Sequence, residues 1–119
     1  MNVQIFGSKK SSDTRKAERW FKERRVKAQF IDLKEKPMSK NELRSVLQAA
    51  GGLENALDPD CRDQDALALV RYTGASQQEE ALLERQQVLR LPVVRNGKKA
   101  ALGYRPEVYE AWLKEDAGK

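Results

Sequence analysis

Apolar positions fall along this chain in two rhythms, one short and continuous, the other spaced by three and four residues. Val3, Ile5 and Phe6 form a brief apolar run ended by Gly7, the pattern of a buried strand that passes into a loop through Ser8–Ser12. Ala17, Trp20 and Phe21 then stand at i, i+3 and i+4 among Lys16, Arg19, Lys22 and Glu23, which predicts an amphipathic helix capped by Ser11 or Ser12. Ala28–Asp32, with Phe30 and Ile31 between polar flanks, reads as a second strand. The helix between the two strands makes a parallel pairing the expected one and completes a βαβ unit.

Beyond Pro37 the helical rhythm dominates. Ser39 with Glu42 three residues later spells a capping box, followed by Leu43, Val46, Leu47 and Ala50 on one face and by Gly51 and Gly52 as a stop. From Leu53 to Leu91 the chain reads as mostly helical, broken near Asp58–Pro59 and near Gly74, with Leu67, Val70, Leu82, Leu83 and Val88 as buried positions. Pro92–Arg95, the dipeptide Asn96–Gly97 and Lys98–Leu102 spell a tight β-hairpin. Pro106 opens a last helix whose apolar face is Val108, Tyr109, Trp112 and Leu113. The order is β-α-β, a helical insertion over about residues 39–91, then β-β-α. This is the order of an α/β, thioredoxin-like mixed sheet, and 119 residues suit a single domain over 1–119.

Composition narrows the chemistry. A hydrophobic fraction of 39% beside a charged fraction of 34% describes a chain able to build a core, and no run approaches the roughly 20 apolar residues of a membrane span. The N-terminal stretch lacks the order of a secretory signal, so the cytoplasm is the expected location. There is no histidine, and Cys61 is the only cysteine, which excludes an intrachain disulfide and leaves the usual zinc and iron sites without ligands; no metal is expected. The net charge of +5 is uneven: residues 1–44 hold thirteen Lys and Arg against six Asp and Glu, and the rest holds ten against twelve. A basic surplus of this kind suits an acidic partner, whereas the lack of aromatic interleaving or a docking motif argues against nucleic acid.

Three separated motifs carry a family resemblance. The opening FGSKKSSDTRKAERWF resembles the first strand, loop and helix of the arsenate reductase family of ArsC and Spx proteins; RLPVV resembles that family's Arg-Pro-hydrophobic segment; and ALGYRPEVYEAW resembles its Gly-aromatic turn and terminal helix. The resemblance implies a glutaredoxin-like thioredoxin fold, thiol-dependent oxidoreductase chemistry with glutathione as co-substrate and no resident cofactor. By analogy with Spx it implies RNA polymerase as a class of protein partner, and for reducing members glutaredoxin. It places Ser11 where the family has its nucleophilic cysteine and Thr14 where Spx-type members have a second one. It places Arg62 and Arg105 near arginines that hold the oxyanion, puts Leu91 where a third is expected with Arg90 one position earlier, and implies a cis peptide before Pro92.

The substitution at position 11 matters because a cysteine at a helix N-terminus becomes a thiolate near neutral pH, whereas a serine hydroxyl there needs an adjacent base. Lys9 and Lys10 are consecutive polar residues with no sign of the burial that would turn a lysine into that base. Ser11 therefore reads as a helix cap before it reads as a nucleophile. What remains is an anion-binding expectation: a helix N-terminus with Lys10, Arg15, Arg62, Arg90 and Arg105 around it, suited to a small oxyanion or a glutathione carboxylate. Cys61 sits in the acidic stretch DPDCRDQD, which opposes thiolate formation, with Arg62 as a partial offset. The sequence thus predicts a member without reductase chemistry that binds an anion or a protein, with the basic first helix, including Arg24 and Arg25, as the contact surface. The alternative is a thiol-dependent reductase, of arsenate or of glutathione adducts, whose native cysteine has been replaced at position 11 or whose thiol is supplied by Cys61.

Overall fold

The computed structural model describes residues 1–118, so Lys119, the final residue of the expected domain, lies outside the described residues. Strand β1 (Val3–Gly7) is followed by helix α1 (Ser12–Glu23) and strand β2 (Ala28–Asp32). Helices α2 (Lys40–Ala50), α3 (Leu53–Ala56), α4 (Gln64–Tyr72) and α5 (Gln78–Glu84) come next, with single 3₁₀ turns at Ala75–Gln77 and Gln86–Val88. Strands β3 (Val93–Asn96) and β4 (Lys99–Leu102) and helix α6 (Pro106–Ala117) complete the chain. The sheet order is β2-β1-β3-β4, with β1 parallel to β2 and antiparallel to β3.

The alternation of side chains along β1 builds two cores, one on each face of the sheet. Val3 and Ile5, with Val94 and Ala101, meet Ala17, Trp20 and Phe21 of α1 and Tyr109 and Trp112 of α6. Phe6, Ile31 and Val93 point the other way, into Leu43, Val46, Leu57, Leu67, Val70, Leu82 and Val88 of the helical insertion. In the first layer Tyr109 is the hub: its ring centroid lies 5.4 Å from Trp20 and 4.9 Å from Phe21, and its hydroxyl donates to the Gly103 carbonyl at 3.1 Å. Burial pushes the Tyr109 pKa up to about 12, so its hydroxyl stays a donor further into the alkaline range than an ordinary tyrosine's.

Local signals set most element ends. The Glu42 amide donates to Ser39 Oγ at 3.2 Å and the Ser39 amide to Glu42 Oε1 at 2.9 Å, which is the reciprocal capping box. Gly51, at φ 84°, closes α2 in the left-handed region. In the second layer the buried Gln86 acts as a polar clamp. The Met38 amide donates to its Oε1 at 2.8 Å, and its Nε2 donates to the carbonyls of Met38 at 2.9 Å and Leu83 at 3.1 Å, so the loop before α2 is held by the end of the insertion.

Two expectations shift in detail. The hairpin turn is Gly97–Lys98, because Asn96 pairs with Lys99 in the ladder; Gly97, at φ 62°, takes the first central position, where a type II′ turn places glycine. The insertion is less continuous than its pattern suggests: residues 57–63 are loop, Leu57 makes an isolated antiparallel bridge to Leu89, and Leu83 is only half-buried. None of the described helices is long and apolar enough to cross a membrane.

The register that positions the functional end of the molecule is the contact between the last residue of β1 and the first turn of α1. A Cβ added at Gly7 would lie 2.5 Å from Thr14 Oγ1 and 2.6 Å from its Cγ2, so only glycine admits this approach. Gly7→Ala is expected to destabilise the chain by about 1–3 kcal/mol in urea unfolding. Adding Thr14→Ala, which removes the two colliding atoms, should recover part of that loss; an unchanged midpoint for Gly7→Ala alone would contradict the contact.

Candidate functional site

Ser11 is the N-cap of α1. Its backbone is extended (φ −81°, ψ 118°) and its Oγ accepts from the Thr14 amide at 3.2 Å, while its carbonyl accepts from the Arg15 amide at 3.2 Å. The loop before it is tightened by the Ser11 amide on the Ser8 carbonyl at 3.1 Å and by Arg15 Nη1 on the Lys9 carbonyl at 3.0 Å. The hydroxyl at position 11 is thus engaged in holding the helix start. Thr14 is fully buried (0% exposed) and its Oγ1 has no hydrogen-bond partner among the described residues. Position 14 therefore carries a side chain packed into the β1–α1 junction and shielded from solvent.

The Leu91–Pro92 peptide is cis, and Pro92 leads into β3. The Pro92 carbonyl accepts from the Gly103 amide at 2.9 Å, and Gly103 (φ 82°) in turn receives the Tyr109 hydroxyl, so the proline, the end of β4 and α6 are tied in one chain of hydrogen bonds. Leu91, where a third arginine was expected, packs its half-buried side chain against the core of the helical insertion.

Beside these elements lies a cleft of about 570 Å³, bounded by Asp13 of α1, Asn55 and Asp58 of the insertion, Arg90, and Gly103 and Arg105 before α6. Arg90 donates its Nε to the Asn55 carbonyl at 3.2 Å, which orients its guanidinium fork. Arg105 pairs with Glu107 at 3.3 Å on an exposed surface. Two arginines and two aspartates share this cleft, an arrangement matched to a ligand carrying both signs of charge.

The five basic residues expected around one anion do not converge. Arg90 and Arg105 line the cleft; Arg15 faces a separate trough on the other side of α1; Lys10 and Arg62 are exposed and line neither. Sequence reasoning did not single out Asp13, Asn55 or Asp58 for this site, and no local signal marks them, since their meeting depends on how the insertion folds back on the sheet. Arg24, counted with the basic contact surface, is engaged within the chain: its guanidinium carbon lies 3.9 Å from the Trp20 ring centroid and its Nη1 donates to the Trp20 carbonyl at 3.1 Å.

Cys61 is a buried free thiol within the core of the insertion and lines neither cavity. Burial pushes its pKa up, the Asp58 carboxylate adds to the rise, and Arg71, not the neighbouring Arg62, supplies the opposing positive charge. Its thiol is neutral at physiological pH.

Comparison with known proteins agrees with this architecture. The model of the ArsC family matches residues 6–112. Among curated proteins none matches. An ArsC family related protein from Bacteroides fragilis superposes with a TM-score of 0.79 at 16% identity, covering 93% of this chain and 97% of that one. An arsenate reductase from Vibrio cholerae gives 0.77 at 21%, with 93% and 97% covered. An arsenate reductase (ArsC) related protein from Brucella melitensis gives 0.67 at 24%, with 96% of each chain covered. At these identities the superpositions speak for a shared thioredoxin-like fold, while the family model spans nearly the whole sequence. The chain belongs to the ArsC family.

Proposed function

We propose that this ArsC-family protein has no arsenate reductase activity and binds a small ligand of mixed charge, a glutathione-like γ-peptide, in the cleft between Arg90 and Arg105. The reading rests on the pairing of a cleft holding two arginines and two aspartates with a helix start capped by a hydroxyl, that of Ser11, and not by a thiol. Reduction of an oxyanion by this family's chemistry needs a thiolate to attack it, and the one thiol of the chain is buried and held neutral away from the cleft. A serine hydroxyl that accepts from the Thr14 amide as a helix cap needs an adjacent general base before it can act as a nucleophile.

Asp13 decides between ligand classes. It sits in the first turn of α1, a place that favours a carboxylate, pairs with Lys16 Nζ at 3.7 Å on the exposed surface, and lines the cleft. A compact oxyanion arriving there meets this carboxylate and that of Asp58. A peptide with an ammonium group and two separated carboxylates places the ammonium against an aspartate and the carboxylates against the arginine forks.

Activity, alkylation and binding measurements test this reading. With glutathione and glutaredoxin supplied, the chain as it stands, and equally its Cys61→Ala variant, should turn over no arsenate; turnover that disappears in Cys61→Ala would overturn the reading. Alkylation by iodoacetamide should report Cys61 as a thiol that ionises only above the usual cysteine range, so its rate stays low at neutral pH and climbs in alkali. Ser11→Cys should add a second thiol that reacts near neutral pH because the α1 amides stabilise its anion; equal pH profiles for the two sulfurs would count against that environment. S-methylglutathione, which keeps sulfur exchange out of the measurement, should shift amide resonances around Asn55, Leu91 and Gly103. Arg90→Ala and Arg105→Ala should each weaken it by about tenfold, and titrations indifferent to both changes would reject the cleft as its site.

A further inference from the structure

A second cavity, distinct from the arginine–aspartate cleft, lies on the far side of α1. It is a trough of about 620 Å³ bounded by Arg15, Glu18, Arg19, Lys22, Arg25 and Lys27, with Ile5, Val26 and Ala28 as its apolar floor. Five cations face a single carboxylate there. All five are exposed, and the neighbouring Arg24 is withdrawn onto Trp20, so the trough is defined by these five.

The trough runs against an open strand. β2 ends the sheet, with β1 on one side and no strand on the other among the described residues. The Leu33 amide donates to the Gly7 carbonyl at 3.0 Å, which fixes the phase of the parallel ladder. Carried back through the register of Val3 with Ala28 and Ile5 with Phe30, this phase turns the amide and carbonyl groups of Gln29 and Ile31 toward β1 and those of Ala28 and Phe30 outward. The outward end is blunted at Asp32, whose carbonyl already accepts from the Glu35 and Lys36 amides. An unpaired strand edge beside a basic, apolar-floored trough meets the two requirements of strand addition: main-chain groups for affinity and side-chain environments for selectivity.

We propose that β2 accepts an extended acidic segment of a partner protein as a fifth strand, its backbone pairing with Ala28 and Phe30 and its carboxylates lying against Arg15, Arg19, Lys22, Arg25 and Lys27. The trough favours a peptide over a nucleic acid on two counts. Its lining holds no aromatic ring on which a base stacks, and Glu18 interrupts the positive field that a continuous phosphate chain follows. This inference is independent of the ligand assigned to the arginine–aspartate cleft.

The test uses the full chain and three fluorescent probes: a short peptide alternating glutamate and valine, the same peptide N-methylated on alternate residues, and an oligouridylate RNA. Fluorescence anisotropy at low salt should show the unmodified peptide binding and the N-methylated one weaker by about tenfold, because methylation removes the donors that pair with β2. The paired reversals Arg19→Glu and Lys22→Glu should weaken the unmodified peptide by about tenfold or more. Ala28→Pro, at the first residue of an edge strand where the lost amide faces outward, should leave the melting curve near that of the parent and weaken the peptide by about fivefold. Equal affinity for methylated and unmethylated peptides, tighter binding of the RNA than of the peptide, or indifference to the charge reversals would each overturn the proposal. Displacement of the peptide by S-methylglutathione would overturn the independence of the two sites.

Discussion

The close approach of Gly7 to Thr14 governs the molecule, because it sets where the first helix begins relative to the sheet. β1 is buried on both faces, with Val3 and Ile5 in one core and Phe6 in the other, so its position is fixed by packing before any functional group is placed. The absence of a side chain at Gly7 then lets Thr14 sink against the strand end. Ser11, three residues earlier, is left as the cap at the surface, and Asp13 is turned toward the cleft. Both the withdrawn threonine and the capping serine follow from this one contact.

The two layers bring different things to the surface. The α1–α6 layer, knitted by aromatic contacts around Tyr109, is built from segments at opposite ends of the chain, and its outer face carries the basic trough. The insertion layer supplies Asn55, Asp58 and Arg90, and the cleft forms where it meets the segment between β4 and α6. Arg90 is anchored from both ends: its amide donates to the Ala56 carbonyl at 2.9 Å and its Nε to the Asn55 carbonyl. The short helix α3 therefore aims this guanidinium.

Much of the fold was legible because its signals are local. The capping box at Ser39 and Glu42, the glycine stop at Gly51, the proline start at Pro106 and the i, i+3, i+4 stripe of Ala17, Trp20 and Phe21 each act within a turn or two of chain. The hairpin was misread by one residue because Asn96–Gly97 is a strong turn dipeptide in isolation, whereas the pairing of β3 with β1 and β4 draws Asn96 into the ladder. The candidate site was less legible. The cap at Ser11 could be read from its local setting, but the grouping of Arg90 and Arg105 with Asp13 and Asp58, and the separation of Arg15 from them, depend on tertiary packing. Arg24 shows the same limit: its charge is plain in the sequence, and its engagement with Trp20 is visible only in the fold.

The hydroxyl cap at the start of α1 has a consequence for the conditions under which this protein keeps its shape. A helix that opens on a pair of sulfurs has two covalent forms, and its surface changes with the electron supply around it. Here the start is an oxygen bonded to an amide, and the lone sulfur, buried in the other layer, has no intrachain mate. The architecture around the cleft therefore contains no intrachain disulfide whose making or breaking could reshape it.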